Sequence, residues 1–85
     1  MQQPRRAIAL RYEKNRDAAP RVVAKGAGEV AKAIIQTASN SHVPVMENQP
    51  LVDSLIQLEV GSVIPEELYT VVAELLAYVY QHKNT

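Results

Sequence analysis

Cysteine is absent from these 85 residues, which excludes disulfides, thiolate nucleophiles and cysteine-based zinc sites, and leaves the compartment unreadable from redox chemistry. Histidine is scarce. Only His42, in a turn, and His82, near the C-terminus, occur, and neither has the neighbours that a general base or a metal site requires. Ser39, Ser41, Ser54 and Ser62 lack the strand-to-helix elbow of a hydrolase nucleophile. No catalytic residue, no cofactor and no metal is therefore expected. No run approaches the roughly 18–20 uncharged apolar residues of a membrane span, and residues 1–6 lack the apolar core of a signal peptide. The expected location is the cytoplasm, without direct membrane insertion. The length excludes a two-domain enzyme and implies one domain, 1–85, with a flexible start over 1–6.

What is present is globular in character: 47% hydrophobic and 21% charged residues. A chain of this size buries only about 60–68% of the surface its unfolded form exposes, so few apolar side chains are spared from the core. Nine basic residues balance nine acidic ones, yet they are not evenly spread. Through Lys25 there are seven Lys/Arg against Glu13 and Asp17; from Ala27 onward, Lys32 and Lys83 face seven carboxylates. A basic first third can steer an acidic partner, RNA or a lipid headgroup, or can simply be a solvated hairpin edge guarded against sheet association.

Ala7-Ile8-Ala9-Leu10-Arg11-Tyr12 alternates with the period of a half-buried strand, placing Ile8, Leu10 and Tyr12 on one face. After the breaker Pro20, the β-branched run Arg21-Val22-Val23-Ala24-Lys25 predicts a second strand and an antiparallel hairpin, ended by Gly26 and Gly28. From Ala27 to about Ser39, apolar residues at three- and four-residue spacing predict a helix. Val43-Pro44-Val45-Met46-Glu47 reads as a third strand reached by a right-handed crossover. Pro50 opens a short helix ending before Gly61, and Pro65-Glu66-Glu67 opens a long one that ends near His82 and Lys83. In that last helix Leu68, Val71, Val72, Leu75 and Val79 supply the expected buried stripe, with Tyr69, Ala73, Leu76 and Tyr80 as a second one beside it. The expected fold class is α/β: a small mixed sheet of about three strands, formed by an N-terminal β-hairpin plus a β-α-β crossover, packed with about three helices.

Lys25-Gly26-Ala27-Gly28 leads from a strand into a helix N-terminus, where free backbone N–H groups and a lysine can hold an anion. It matches neither phosphate-loop pattern, and close packing explains two glycines equally well. A nucleic-acid reading has only Tyr12 as a stacking platform in the basic third. One candidate function is thus a small anion- or RNA-binding module built on the basic hairpin and this turn.

A second candidate comes from resemblance. Ala9-Leu10-Arg11-Tyr12, Ala19-Pro20-Arg21-Val22-Val23-Ala24-Lys25-Gly26-Ala27-Gly28, Val43-Pro44-Val45-Met46-Glu47 and Ile64-Pro65-Glu66-Glu67-Leu68-Tyr69, followed by the apolar run 72–80, together resemble the cytoplasmic C-terminal domain of the FlhB family. These are the substrate-specificity switch proteins of flagellar and type III secretion export. The family typically carries Asn-Pro-Thr-His before the first strand and cleaves its own chain there. Here the counterpart falls on Gln2-Gln3-Pro4-Arg5, with no asparagine to form the five-membered ring. Autocleavage is therefore not expected, and the chain resembles a free-standing copy of the cleaved fragment. The resemblance implies a non-enzymatic component or accessory of the export apparatus. Its partners are export substrates and export-apparatus proteins, including truncated or cleaved FlhB, and not nucleic acid, with docking at the membrane export gate. It places a shallow apolar binding patch on Ala19, Pro20, Ala73 and Leu76. Pro50-Leu51 matches a family pair, whereas Val52-Asp53 departs from the Ala-Arg that usually follows.

Overall fold

The computed structural model describes residues 5–83 apart from Lys14 and Asp17, with side chains described through residue 79. Gln2, Gln3 and Pro4, where the counterpart of the cleavage motif falls, lie outside the described residues. The chain runs through strand β1 (Arg6–Arg11), strand β2 (Arg21–Ala27), helix α1 (Glu29–Asn40), helix α2 (Gln49–Leu55), one 3₁₀ turn (Glu66–Leu68) and helix α3 (Tyr69–Lys83).

β1 and β2 form an antiparallel hairpin whose register pairs Ile8 with Lys25 and Ala9 with Ala24, then skips Val23 to pair Leu10 with Val22. The skipped residue is a bulge. Beside it Val22 is fully buried while Val23 stays exposed. α1 packs on both strands. On that face Ala7 pairs with Gly26, and a side chain on Gly26 would collide with Val30 of α1. Ala7 and Ala31 are buried there. On the opposite face Ile8 and Leu10 pack against the main core of Ala19, Leu55, Ile64 and Val72. Burying each of the larger of these side chains is worth about 1.5–3 kcal/mol.

Among the described residues the sheet has two strands, not three, and it is antiparallel rather than mixed. Residues 43–47 do not form the expected strand. α1 closes with His42 in the left-handed region (φ 60°); the N–H of His42 donates to Ser39 O and that of Val43 to Ala38 O. This pair of bonds is a Schellman ending. It consumes the first strand donor, and Pro44 supplies none. Val43 and Val45 are about half exposed.

The free edge of β2 is taken instead by residues 61–64, which cross it as a short antiparallel bridge between Arg21 and Val63. Val22 N–H donates to Ser62 O (2.9 Å), Gly61 N–H to Val22 O (2.7 Å) and Ile64 N–H to Pro20 O (3.0 Å). The chain then turns at Pro65 into the 3₁₀ turn and α3. The hairpin end and the last helix are thereby held side by side.

α3 also differs from the expected stripe. Val72 is its buried residue, with Leu68 and Leu76 packed on the core one turn either side, while Val71 is 43% exposed. The spacing of four from Leu68 through Val72 to Leu76 is the face that meets Leu55 and Ile64. Val71 lies roughly 100° away from Val72 around the helix.

Candidate functional site

Pro20 fixes the entry to β2 with its preset φ, and its carbonyl accepts the Ile64 N–H, so Ala19 and Pro20 are held beside the start of α3. Both are buried. From the other side α3 presents residues four apart along one face, Tyr69, Ala73 and Ala77, with Leu76 next to them. Between these walls lies an open apolar cavity of about 380 Å³, lined by Ala19, Pro20, Ala73 and Leu76. The four residues lie in one place although more than fifty positions separate the two pairs.

Their environments differ. Ala19 belongs to the main core and Leu76 packs against it, whereas Ala73 is exposed. The cavity also takes Tyr12, Ala18, Tyr69 and Ala77 into its lining. Sequence reasoning did not assign these four to a site, although signals existed. Tyr69 stands four residues before Ala73 and Ala77 four after, and Tyr12 shares the strand face of Leu10. Next to the cavity Glu13 accepts Arg11 at 3.5 Å and Arg16 at 3.3 Å. Such exposed pairs are worth at most about 1 kcal/mol each.

The Lys25-Gly26-Ala27-Gly28 turn is built for other purposes than an anion. Lys25 Nζ donates to the carbonyls of Ile56 (3.0 Å) and Leu58 (2.6 Å), beyond the end of α2. α2 has no basic residue in its own last turn, so β2 supplies the positive charge that a helix C-terminus favours. Gly26 makes room for Val30, and Gly28 precedes α1 with φ 61° while its N–H donates to Arg5 O (2.7 Å). These commitments explain the lysine and both glycines without an anion or RNA ligand. Asp53, the departure from the family pattern, accepts Arg6 at 3.1 Å and ties β1 to α2.

No group of three or more potential metal ligands occurs among the described residues, and no helix there is long and apolar enough to cross a membrane. The lining of the cavity is apolar apart from the two phenols and holds no histidine, carboxylate, lysine or arginine.

Comparison with known proteins gives concordant matches. The model of the FlhB HrpN YscU SpaS family matches residues 4–79. The protein named "Uncharacterized protein YlqH" from Bacillus subtilis (strain 168) is 44% identical over 77 residues, covering 91% of this chain and 83% of its own. Flagellar biosynthetic protein FlhB from Escherichia coli (strain K12) is 46% identical over 79 residues, covering 92% of this chain. This chain spans only 21% of that FlhB. The crystal structure of the cytoplasmic domain of FlhB from Shewanella putrefaciens superposes with a TM-score of 0.88 at 37% identity, over 92% of this chain and 61% of that one.

Proposed function

The chain belongs to the FlhB HrpN YscU SpaS family, and from that premise we propose that it is a non-enzymatic part of a flagellar or type III export apparatus. It works on the cytoplasmic side, where it binds export substrates or apparatus proteins in the cavity of Ala19, Pro20, Ala73 and Leu76. In this role it supplies what the cleaved C-terminal fragment of FlhB supplies, and it does so without cutting its own backbone, since Gln3 stands where asparagine is needed.

The observation that carries this reading is the cavity itself. An open apolar depression is a costly surface for a small domain to leave exposed, and such depressions mark docking sites more often than accidents. The bridge between residues 20–22 and 61–64 preorganises both walls, so little ordering cost remains when a segment enters.

The test is expression of this chain in cells whose FlhB is truncated before the corresponding domain. Export is expected to be restored in part, and the purified protein is expected to show one intact mass. Leu76→Asp is expected to abolish the restored export. Because Leu76 packs against the core, the variant's circular dichroism is read alongside. No restoration by the unaltered chain, or scission near Pro4, would sink the proposal.

A further inference from the structure

We infer that the row Val71, Leu75 and Tyr78 on α3 docks a basic amphipathic helix of another protein. Apolar spacing marks Val71 and Leu75 for burial, yet the fold does not use them that way. Val71 is 43% and Tyr78 51% exposed, and Leu75 is half-buried. The core takes the neighbouring row, Leu68, Val72 and Leu76. Among the described residues the two strands and the other two helices keep their Cα atoms more than 8 Å from those of α3, farther than closely packed helices allow, so neither a strand nor a helix is laid along this row. Positions 71, 75 and 78 stand four and three apart and form one stripe about 10 Å long. Ala73, in the wall of the cavity, lies roughly 160° away around the helix. The stripe is therefore a second surface, independent of the cavity.

The charges beside the stripe select the partner. Glu74 stands three residues after Val71 and four before Tyr78, on the side away from Val72, and Glu67, in the 3₁₀ turn, stands four before Val71. Both carboxylates are exposed, and neither makes an ion pair or hydrogen bond among the described residues. Residues 59–79 hold four glutamates and no lysine, arginine or histidine. Anionic lipid and nucleic acid are repelled by such a surface. A second copy is disfavoured too: laid antiparallel about a two-fold axis, it would set Glu67 and Glu74 of one chain against Glu74 and Glu67 of the other. The backbone groups of α3 are bonded within the helix and have nothing to offer an extended segment, whereas an incoming helix arrives with its own already paired. What fits is a helix with an apolar stripe of its own and lysine or arginine alongside it.

The probe is a capped, alanine-based helical peptide with leucines at i, i+4 and i+7 and lysines beside them. Its comparators carry glutamate in place of every lysine, or the lysine peptide's residues in scrambled order. Titrations of the full, isotopically labelled chain are followed by amide NMR. The lysine peptide is expected to bind with a Kd of about 1 mM or below, the range of a small transient contact. The shifted amides are expected between residues 67 and 79, with those of Tyr12, Ala18 and Ala19 unmoved. Both comparators are expected to bind about fivefold more weakly or worse. Val71→Asn is expected to weaken the lysine peptide about threefold or more, since an apolar contact is lost. The double variant Glu67→Lys, Glu74→Lys is expected to prefer the glutamate peptide. All three positions are exposed, and the same spectra report whether each variant is folded. Equal binding of the lysine and glutamate peptides, shifts centred on Tyr12, Ala18 and Ala19, or no shift at millimolar peptide overturns the inference. So does an affinity indifferent to Val71→Asn, because attraction between charges alone would then explain the binding.

Discussion

The strand-to-helix turn at residues 25–28 and the cavity between the hairpin end and α3 both have the residue types of a binding site, but the fold treats them in opposite ways. At the turn the groups are committed. Lys25 caps the carbonyls beyond α2, Gly26 yields its space to Val30, and Gly28 enters α1 while donating to Arg5. At the cavity the backbone is committed but the surface is not: Pro20 and Ile64 are bonded to each other, while Ala73, Ala77 and Tyr69 remain exposed. A site is identified by capacity left over after folding, and a lysine whose donors already have acceptors has little left.

This contrast predicts that substitutions at the turn act on stability and substitutions at the cavity act on binding. The largest effect belongs to Gly26→Ala. The new methyl would lie 2.7 Å from Val30 Cβ and closer still to its Cγ1, so α1 must move off the strands. A loss of about 2–3 kcal/mol is expected, which for a domain of this size lowers Tm by roughly 10 °C or more. Thermal melting followed at 222 nm measures it. A shift below 3 °C would mean that α1 adjusts freely and that the glycine serves something else.

Lys25→Met comes next. The stem keeps its packing and the two carbonyls of Ile56 and Leu58 lose a shared charged donor, at a cost of about 1–2 kcal/mol. Urea denaturation measures it, and peptide affinity at the cavity is expected to stay within twofold of the unaltered protein. A tenfold loss of affinity with stability intact would erase the contrast, because the turn would then belong to the site.

Much of this was legible in the residues. The hairpin follows from alternation and from Pro20, α1 from its spacing, and the last two helices from Pro50 and Pro65. Ala19, Pro20, Ala73 and Leu76 came from resemblance rather than from periodicity, since nothing local says that positions 19 and 73 meet. The third strand was misread because Val43-Pro44-Val45 is β-branched and apolar, while the Schellman ending at His42 and the rival pairing of residues 61–64 with β2 are decided by tertiary geometry. Residues 61–64 carry Gly61 and Ser62, which read as a loop. The stripe on α3 held at Leu68 and Val72 but wrongly included Val71 and left out Leu76, for a related reason: the helix is apolar nearly all round, so pattern alone does not select the face that meets the core.

The smallest expected change in stability separates the two regions most cleanly. Ala73 is exposed in the first half of α3, so Ala73→Asp loses helix propensity of about 0.5 kcal/mol and leaves no cavity in the core. The melting temperature is expected to fall by about 2–4 °C. Binding is another matter, because any segment that enters must strip water from the new carboxylate, and the cavity lining offers it no cation. Affinity for an export-signal peptide is expected to drop more than tenfold. Both quantities come from one preparation, by melting and by anisotropy. A fall of 10 °C or more would make residue 73 part of the core and the cavity an accident of packing, whereas unchanged affinity with an unchanged melt would leave this face without a role in recognition.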